Sequence, residues 1–295
     1  MNKIGLGTVK FGLDYGISST KGQVPFDEAR NIIAYAKANN IDLVDTAPSY
    51  GESEKVLGKV NISKMNIITK TRHFSQSRIH DDDVQLIQND LTNSLEHLGV
   101  KGVYGLLFHN ANDLLKPGGS KLYETLKKLK GQKKIKKIGI SIYEQSQIEQ
   151  VLSLYDLDII QIPFNIFDRR LLESGMIDIL HDQGIEIHSR SVFLQGLLLM
   201  SEKDRPSIFT KWNKLWKVWH EWLNDNRLTA LEASLRYVLS FTQISKVLIG
   251  VETTMQLQQI LNSSKGTLPE VPDELSIIDP PVSYTHLTLP TRYRV

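Results

Sequence analysis

The sequence contains no cysteine, which excludes a disulfide framework, a thiolate metal site and a cysteine nucleophile. Net charge is also scarce: 35 lysines and arginines against 33 aspartates and glutamates give +2, which offers little attraction for a nucleic acid. No apolar run approaches the length of a membrane span, and the amino-terminal MNKIGLGTVKFG has no apolar signal-peptide core. We therefore expect a cytoplasmic protein that binds neither nucleic acid nor a membrane.

Short apolar, β-branched runs alternate with segments of helical periodicity, a pattern typical of parallel strands joined by crossover helices. The predicted strands cover residues 4–9, 41–46, 66–71, 103–109, 137–142, 159–165, 186–192 and 246–250. The predicted helices lie near residues 26–39, 52–59, 82–98, 119–131, 145–154, 168–182, 228–240 and 254–263. These strand–helix units predict a single-domain α/β protein, the (β/α)8 or TIM barrel with eight parallel strands.

An open doubly wound sheet is the alternative arrangement of the same elements, and it needs a glycine-rich phosphate turn after the first strand. The sequence has no GxGxxG motif. Gly5, Gly7 and Gly12 are spaced differently and do not open a helix. We interpret them as points of close backbone approach at the barrel mouth.

The longest connection between predicted strands, residues 193–245, contains all four tryptophans of the chain. They are Trp212, Trp216, Trp219 and Trp222. Their spacings of four, three and three place them along one face of a helix. This stripe predicts a helix packed in the core or at an interface, in preference to an aromatic cofactor site.

The end of the sequence breaks the pattern, because PPVSYTHLTLPTRYRV has neither a helix period nor a strand period. We assign residues 1–279 to the barrel. Residues 280–295 are interpreted as a non-native or disordered tail, added by cloning or by sequence assembly.

Polar, titratable residues close several predicted strands, at the end of the barrel where such folds carry their chemistry. Asp45 closes the second strand, Lys70 the third and His109 the fourth. Tyr50 follows in the loop after Asp45. Each residue alone is commonplace near a strand end. Because consecutive strands pair, all four side chains can converge, and their combination favours a catalytic site.

The four residue types suit proton donation to a carbonyl oxygen. A tyrosine hydroxyl has a pKa of about 10, and a nearby ammonium lowers it by favouring the phenolate. We expect Lys70 to supply this charge, and Asp45 to keep the lysine cationic through a charge-assisted hydrogen bond. His109 can then donate to the carbonyl oxygen and orient it. This chemistry needs no metal ion.

These segments resemble the aldo-keto reductase superfamily from residue 4 to about residue 264. GLGTVKFG resembles the family's first strand, DTAPSYGESEKVLG its Asp/Tyr segment, and ITK and LLFH its Lys and His segments, in the same order. The resemblance implies reduction of a small aldehyde, ketone or sugar-derived carbonyl with hydride from NADPH or NADH. It implies Tyr50 as the general acid. Lys70 and Asp45 would tune the tyrosine pKa, and His109 would orient the carbonyl.

The resemblance also implies cofactor contacts, and the family's extended cofactor needs no GxGxxG turn. The predicted cofactor-binding residues are Gly7, Thr8, Asp45, Ser141, Gln161, Arg190, Gly196, Gly250, Thr253, Gln256 and Gln259. Ser141 and Gln161 match residues that hold the nicotinamide carboxamide, but Ile142 replaces the family's asparagine, so one hydrogen bond is lost. Arg190 stands where many members stack a tyrosine on the nicotinamide, and its planar guanidinium can stack similarly.

Charge in the adenosine-binding segment, IGVETTMQLQQ, bears on which cofactor is used. Gly250 and Gln256 are neutral where NADP-preferring members carry a basic residue, and Glu252 adds a negative charge. This predicts either a preference for NADH over NADPH or a weak preference between the two. Four nearby side chains could instead favour the 2′-phosphate of NADPH: Thr253, Thr254, Lys246 and Lys265.

Two other functions are compatible with the same residues. One is a cofactor-binding regulatory or structural barrel with slow turnover. The other is an isomerase or aldolase in which Lys70 forms a Schiff base, but Asp45 opposes this because a carboxylate partner raises a lysine pKa. The sequence defines neither the substrate's identity nor the oligomeric state.

Overall fold

The computed structural model describes residues 2–17 and 22–277. Eight parallel strands form a closed barrel in sequence order, with the first strand paired to the last. The strands are β1 (Ile4–Gly7), β2 (Leu43–Asp45), β3 (Asn66–Lys70), β4 (Val103–Phe108), β5 (Ile135–Ser141), β6 (Ile159–Pro163), β7 (Glu186–Arg190) and β8 (Ile244–Gly250). The predicted (β/α)8 barrel is confirmed. The tail assigned to residues 280–295 lies outside the described residues.

Helices connect the strands around the outside of the barrel. They are α1 (Val9–Gly12), α2 (Phe26–Ala38), α3 (Ser53–Lys59), α4 (Asp81–Leu98), α5 (Asn112–Leu115), α6 (Gly119–Gly131), α7 (Gln145–Leu152), α8 (Arg170–Glu173), α9 (Met176–Asp182), α10 (Asn213–Asp225), α11 (Ala230–Ser240) and α12 (Thr254–Ser263). In the described part of the chain, no helix is both long and apolar enough to cross a membrane.

Most predicted bounds differ from the structure by one or two residues, and two differences concern the kind or the number of elements. The first strand was expected to reach Val9, but it ends at Gly7 and Val9 begins the short helix α1. The helix expected over residues 168–182 is two helices, α8 and α9, separated at Gly175. Gly175 adopts a left-handed φ of 74°, which ends the first helix and permits a change of direction before the second.

The core has two parts because each strand presents alternate residues to the barrel interior and to the helices. Five apolar side chains form the interior cluster: Leu43, Ile68, Leu107, Ile159 and Leu248. A larger cluster fills the layer between strands and helices. The apolar interior closes the centre of the barrel, which leaves the carboxyl ends of the strands as the place for polar groups.

The tryptophan stripe packs against the barrel, as predicted. Three of the four tryptophans lie on α10, and Trp212 immediately precedes that helix. Trp219 is fully buried and contacts the ring of Phe167 edge-on. Trp222 is buried too, and its indole N–H donates to the Glu270 carbonyl oxygen at 2.9 Å. These contacts tie α10 to the chain that follows α12, so the stripe belongs to the core.

Gly12 is a point of close backbone approach, as predicted from its place near the barrel mouth. A Cβ atom at Gly12 would lie 1.7 Å from the Tyr50 carbonyl oxygen and 2.4 Å from the Ser53 amide nitrogen. Both contacts involve backbone, so the neighbouring chain cannot yield by a side-chain rotation. The absence of a side chain at Gly12 therefore determines where the Tyr50 loop lies.

Replacing this glycine is expected to displace the Tyr50 loop. Gly12→Ala should destabilise the protein by about 1–3 kcal/mol or more, because overpacking forces backbone to move, and should lower turnover as well. Thermal unfolding and steady-state kinetics measure the two effects. Gly131→Ala is the matched control, since a Cβ there meets nothing within 4 Å. Equal melting temperatures for the two variants would contradict the prediction.

Candidate active site

The four predicted catalytic residues come together at the carboxyl ends of β2, β3 and β4. Asp45 and Lys70 are the last residues of β2 and β3, and His109 directly follows β4. Tyr50 lies in the loop between β2 and α3. Parallel pairing of the three strands brings their ends together, because Asp45 pairs with Ile68 and β3 pairs with β4.

Asp45 and Lys70 form a buried ion pair. The Lys70 Nζ donates to Asp45 Oδ1 at 2.6 Å and to the Thr46 carbonyl oxygen at 3.0 Å. The second carboxylate oxygen of Asp45 accepts from Gln161 Nε2 at 2.8 Å. Burial lowers the pKa of the Lys70 ammonium below its usual value, and the Asp45 charge opposes that change. The expected Lys70–Asp45 pair is therefore present, with a third residue holding the carboxylate.

Tyr50 packs over the lysine of this pair. The Lys70 Nζ lies 5.0 Å from the centre of the Tyr50 ring. Burial raises the pKa of the Tyr50 hydroxyl well above 10, the Asp45 charge raises it further, and the Arg190 charge opposes the rise. Desolvation outweighs the lowering expected from Lys70, whose ammonium is engaged with Asp45, so the net shift of the Tyr50 pKa is upward and not downward as predicted. Tyr50 is thus a neutral, protonated donor.

His109 contacts the tyrosine ring edge-on, with ring centres 5.9 Å apart and an angle of 81° between the planes. Its Nδ1 lies 3.5 Å from the Ser49 hydroxyl oxygen. Burial lowers the pKa of His109 to about 3, and the positive charges of Lys70 and Arg190 contribute to the same shift. The imidazole is therefore neutral at physiological pH, so one ring nitrogen donates a hydrogen bond and the other accepts.

A cavity of about 780 Å³ opens above these residues, within the range of about 300–1,000 Å³ that ligand pockets occupy. Asp45, Tyr50 and His109 line it, whereas Lys70 does not. Of the predicted cofactor-binding residues, those lining the cavity are Gly7, Thr8, Asp45, Ser141, Gln161, Arg190, Gly196, Gly250, Gln256 and Gln259. Thr253 is not among the lining residues. Its hydroxyl accepts from the Gln256 amide at 3.1 Å and caps α12.

The cavity wall also contains residues that the sequence interpretation missed. Tyr15 and Tyr143 both line it, and burial raises the pKa of the Tyr15 hydroxyl. Tyr143 follows the end of β5 by two residues, so its position near a strand end could have indicated it. Tyr15 lies in the loop after α1 and carries no comparable signal, because that loop's path depends on tertiary contacts.

The segment that follows β8 lines the far end of the cavity and carries charged side chains. Glu252 forms an ion pair with Lys10 at 2.6 Å, and both residues line the cavity. The amide and hydroxyl of Thr254 both donate to Glu28, and the backbone hydrogen bond is the main cause that lowers the Glu28 pKa. A carboxylate therefore already lies at the amino terminus of α12, where the helix dipole favours an anion.

Lys246 and Lys265, which the sequence placed near this end, do not line the cavity. The Lys246 Nζ instead binds the Asp42 carboxylate and the Asn2 carbonyl oxygen, at the end of the barrel where β1 begins. Lys246 stands near the start of β8 and Gly250 at its end, so the length of the strand separates them. This lysine is thereby excluded as a partner for a cofactor phosphate.

The rim between the two ends of the cavity suits a nucleotide. Gly7 and Gly250 are paired across β1 and β8, and both line the cavity. A Cβ at either position would meet only atoms at 3.6 Å or beyond, so it would occupy open cavity space. Gly196, which also lines the cavity, has a left-handed φ of 90°. Bare backbone at these points allows the close approach that a pyrophosphate requires.

Comparison with known families decides the identity of this barrel. The model of the Aldo/keto reductase family matches residues 3–279. The chain belongs to the aldo/keto reductase family. It is accordingly an NAD(P)H-dependent oxidoreductase that acts on a small-molecule carbonyl compound.

Individual relatives are distant but cover most of the chain. The NADH-specific methylglyoxal reductase of Escherichia coli strain K12 is 24% identical over 294 residues, covering 88% of each chain. Among solved structures, the holo form of an aldo-keto reductase from Bacillus halodurans has a TM-score of 0.72 at 20% identity, covering 91% of this chain and 88% of that one. A glycerol dehydrogenase from Gluconobacter oxydans has a TM-score of 0.70 at 20% identity, with coverages of 98% and 94%.

Proposed function

We propose that the enzyme reduces an aldehyde or ketone at this cavity, with Tyr50 as the general acid. The observation that carries the proposal is the juxtaposition of a neutral, half-buried Tyr50 with a neutral His109, above the Asp45–Lys70 ion pair. Tyr50 and His109 both line the cavity, so a carbonyl oxygen can reach both. Bound NADH or NADPH supplies the hydride.

Each protein group has a role that follows from its charge. Neutral His109 can donate a hydrogen bond to the carbonyl oxygen without adding a full charge. Tyr50 transfers its proton to that oxygen as negative charge develops there. The resulting phenolate lies beside the Lys70 ammonium, which stabilises it, while Asp45 and Gln161 keep the lysine in place. Lys70 thus makes Tyr50 a stronger acid than burial alone would leave it.

The cofactor would lie along the cavity, held at its two ends and at the rim. Ser141 and Gln161 would hold the carboxamide of the nicotinamide, and the planar guanidinium of Arg190 would stack on the nicotinamide ring. Gly7, Thr8, Gly196 and Gly250 offer backbone or small side chains along the rim, and the remaining groups face the adenosine. The adenosine-facing side chains are Gln256 and Gln259, and Thr253 contributes through its cap of α12.

The Schiff-base alternative is disfavoured by the position of Lys70. The Lys70 side chain is 1% exposed, its ammonium lies 2.6 Å from a carboxylate, and the residue does not line the cavity, so a carbonyl carbon has no path to it.

Steady-state oxidation of NADH and NADPH with a panel of aldehydes and ketones tests the proposed reduction and separates a reductase from a slow cofactor-binding barrel. Absence of turnover with every carbonyl, despite cofactor binding, would favour the second function.

We expect NADH to bind at least tenfold more tightly than NADPH, which corresponds to about 1.4 kcal/mol. Carboxylates of Glu28 and Glu252 lie at the adenosine end, and Lys10, the cation that lines the cavity there, is paired with Glu252. A 2′-phosphate would therefore meet like charge. Glu252→Gln should reduce the difference in affinity between NADH and NADPH, because it releases Lys10 from its ion pair. Dissociation constants from fluorescence quenching measure both effects, and tenfold tighter binding of NADPH to the unaltered enzyme would refute the charge argument.

A further inference from the structure

One charge in the cavity lacks a partner of opposite sign. The acidic and basic side chains that line the cavity are Lys10, Asp45, Arg190 and Glu252. Lys10 is paired with Glu252, and Asp45 is paired with Lys70 behind the wall. Arg190 has no carboxylate within ion-pair distance among residues 2–17 and 22–277. The catalytic end of the cavity therefore carries about one unit of uncompensated positive charge, since an arginine is always protonated.

Arg190 is close enough to the catalytic residues for its charge to affect them. It contributes to the lowered pKa of His109 and opposes the raised pKa of Tyr50. As the last residue of β7, it also lies across the barrel mouth from β2 and β3, which carry Asp45 and Lys70. A group bound to Arg190 would accordingly be part of a molecule whose other atoms can reach Tyr50 and His109.

The guanidinium is held in one orientation. Its carbon lies 4.4 Å from the centre of the Tyr143 ring, so one face stacks on an aromatic surface. Nη2 donates to the Ile142 carbonyl oxygen at 2.8 Å, and Nη1 donates to the Ser191 hydroxyl at 3.3 Å. Both partners are neutral. These contacts orient the group without neutralising it, and they use two of its five N–H donors.

We propose that Arg190 determines substrate specificity by binding an anionic group, a carboxylate or a phosphate, that the carbonyl substrate carries. This inference rests on the proposed carbonyl reduction and names a class of substrate for it. A guanidinium matches the geometry of carboxylate and phosphate oxygens, and a partly buried, unpaired charge gains most from an anion. Stacking on a nicotinamide would use the free face of Arg190, whereas anion binding uses its N–H edge, so the two roles are compatible.

The test compares carbonyl substrates that carry an anionic group with neutral counterparts. Succinic semialdehyde is set against pentanal, and glyceraldehyde 3-phosphate against glyceraldehyde, with kcat/KM measured for each. The readout is the ratio of charged to neutral substrate within a pair, because general effects on the enzyme cancel in it. The native enzyme should show a ratio of at least tenfold in one pair, and the pair that shows it distinguishes carboxylate from phosphate.

Three variants test whether Arg190 is the residue that produces this substrate ratio. Arg190→Gln should bring the ratio close to one, while Arg190→Lys, which keeps the charge, should retain part of it. Lys10→Gln removes a cation from the same cavity but from the end that carries Glu252, and its ratio should match that of the native enzyme. Melting temperatures identify any variant that fails to fold. A ratio near one in the native enzyme, or a ratio that survives in Arg190→Gln, overturns the proposal.

Calorimetric titration of the enzyme–NAD⁺ complex with succinate and with inorganic phosphate gives a second readout that does not need turnover. Binding that Arg190→Gln weakens at least tenfold supports the proposal even if no carbonyl is reduced, in which case the proposed function alone fails. No binding of either anion to the native complex overturns the inference. The inference is also overturned if Arg190→Gln weakens only the binding of the cofactor, because the guanidinium would then bind the nicotinamide or the pyrophosphate instead.

Discussion

Tyr50→Phe is expected to lower kcat for carbonyl reduction by a factor of about a hundred to ten thousand, the usual contribution of a general acid. The substitution removes one oxygen from a half-buried ring that contacts Lys70 and His109, so the fold should be preserved. Cofactor affinity should hardly change, because only the proton donor is lost. Steady-state kinetics and fluorescence titration of the cofactor measure the two quantities separately.

Tyr15→Phe is the matched control for this experiment. Tyr15 lines the same cavity, is largely buried and has a hydroxyl whose pKa is also raised by burial. We expect this variant to lose less than tenfold in kcat, since among the described residues the Tyr15 ring, unlike that of Tyr50, contacts neither His109 nor Lys70. If Tyr50→Phe retains more than half the native turnover, Tyr50 is not the general acid. If Tyr15→Phe loses more activity than Tyr50→Phe, Tyr15 takes that role instead.

Lys70→Met is expected to abolish turnover and also to reduce the stability of the fold. It leaves the Asp45 carboxylate buried with Gln161 as its remaining side-chain donor. Removing one partner of a buried ion pair typically costs about 3–5 kcal/mol, because the other charge is left uncompensated. Activity falls for a separate reason, the loss of the ammonium that stabilises the Tyr50 phenolate. Urea denaturation and single-turnover reduction measure the two losses.

The double variant Lys70→Met/Asp45→Asn separates these effects. Removing both charges should recover most of the stability, because no unpaired carboxylate remains in the barrel. Activity should stay as low as in Lys70→Met. Recovery of turnover in the double variant would show that the single variant was inactive only because it was destabilised, and the assignment of Lys70 to phenolate stabilisation would then fail.

The sequence was sufficient to predict the strands because strand formation here depends on local pattern. Each buried parallel strand appears as a short run of apolar, β-branched residues, and these runs repeat at the spacing of β–α units. The helix over 168–182 was predicted incorrectly because Gly175 interrupts it with a left-handed conformation, which periodicity alone does not detect. Val9 was assigned to a strand because its side chain is β-branched, although such a residue can also begin a helix.

The catalytic constellation was predictable for a different reason. Once β2, β3 and β4 are known to be adjacent and parallel, Asp45, Lys70 and His109 must meet at one end of the barrel. Chain order therefore determines which side chains converge. Their protonation states do not follow from chain order, since they depend on burial: desolvation raises the pKa of Tyr50, against the expectation from a nearby lysine.

The sequence by itself determined the barrel, the order of its strands and the four residues at their ends, because those features arise from local periodicity and from pairing of consecutive strands. Only the tertiary structure decided the partners of each charge. Lys10 meets Glu252 across 242 positions of sequence, and Glu28 meets Thr254 across 226. Arg190 has no carboxylate partner in the part of the chain that the structure describes. Contacts between such distant positions are produced by closure of the barrel, which no local pattern records.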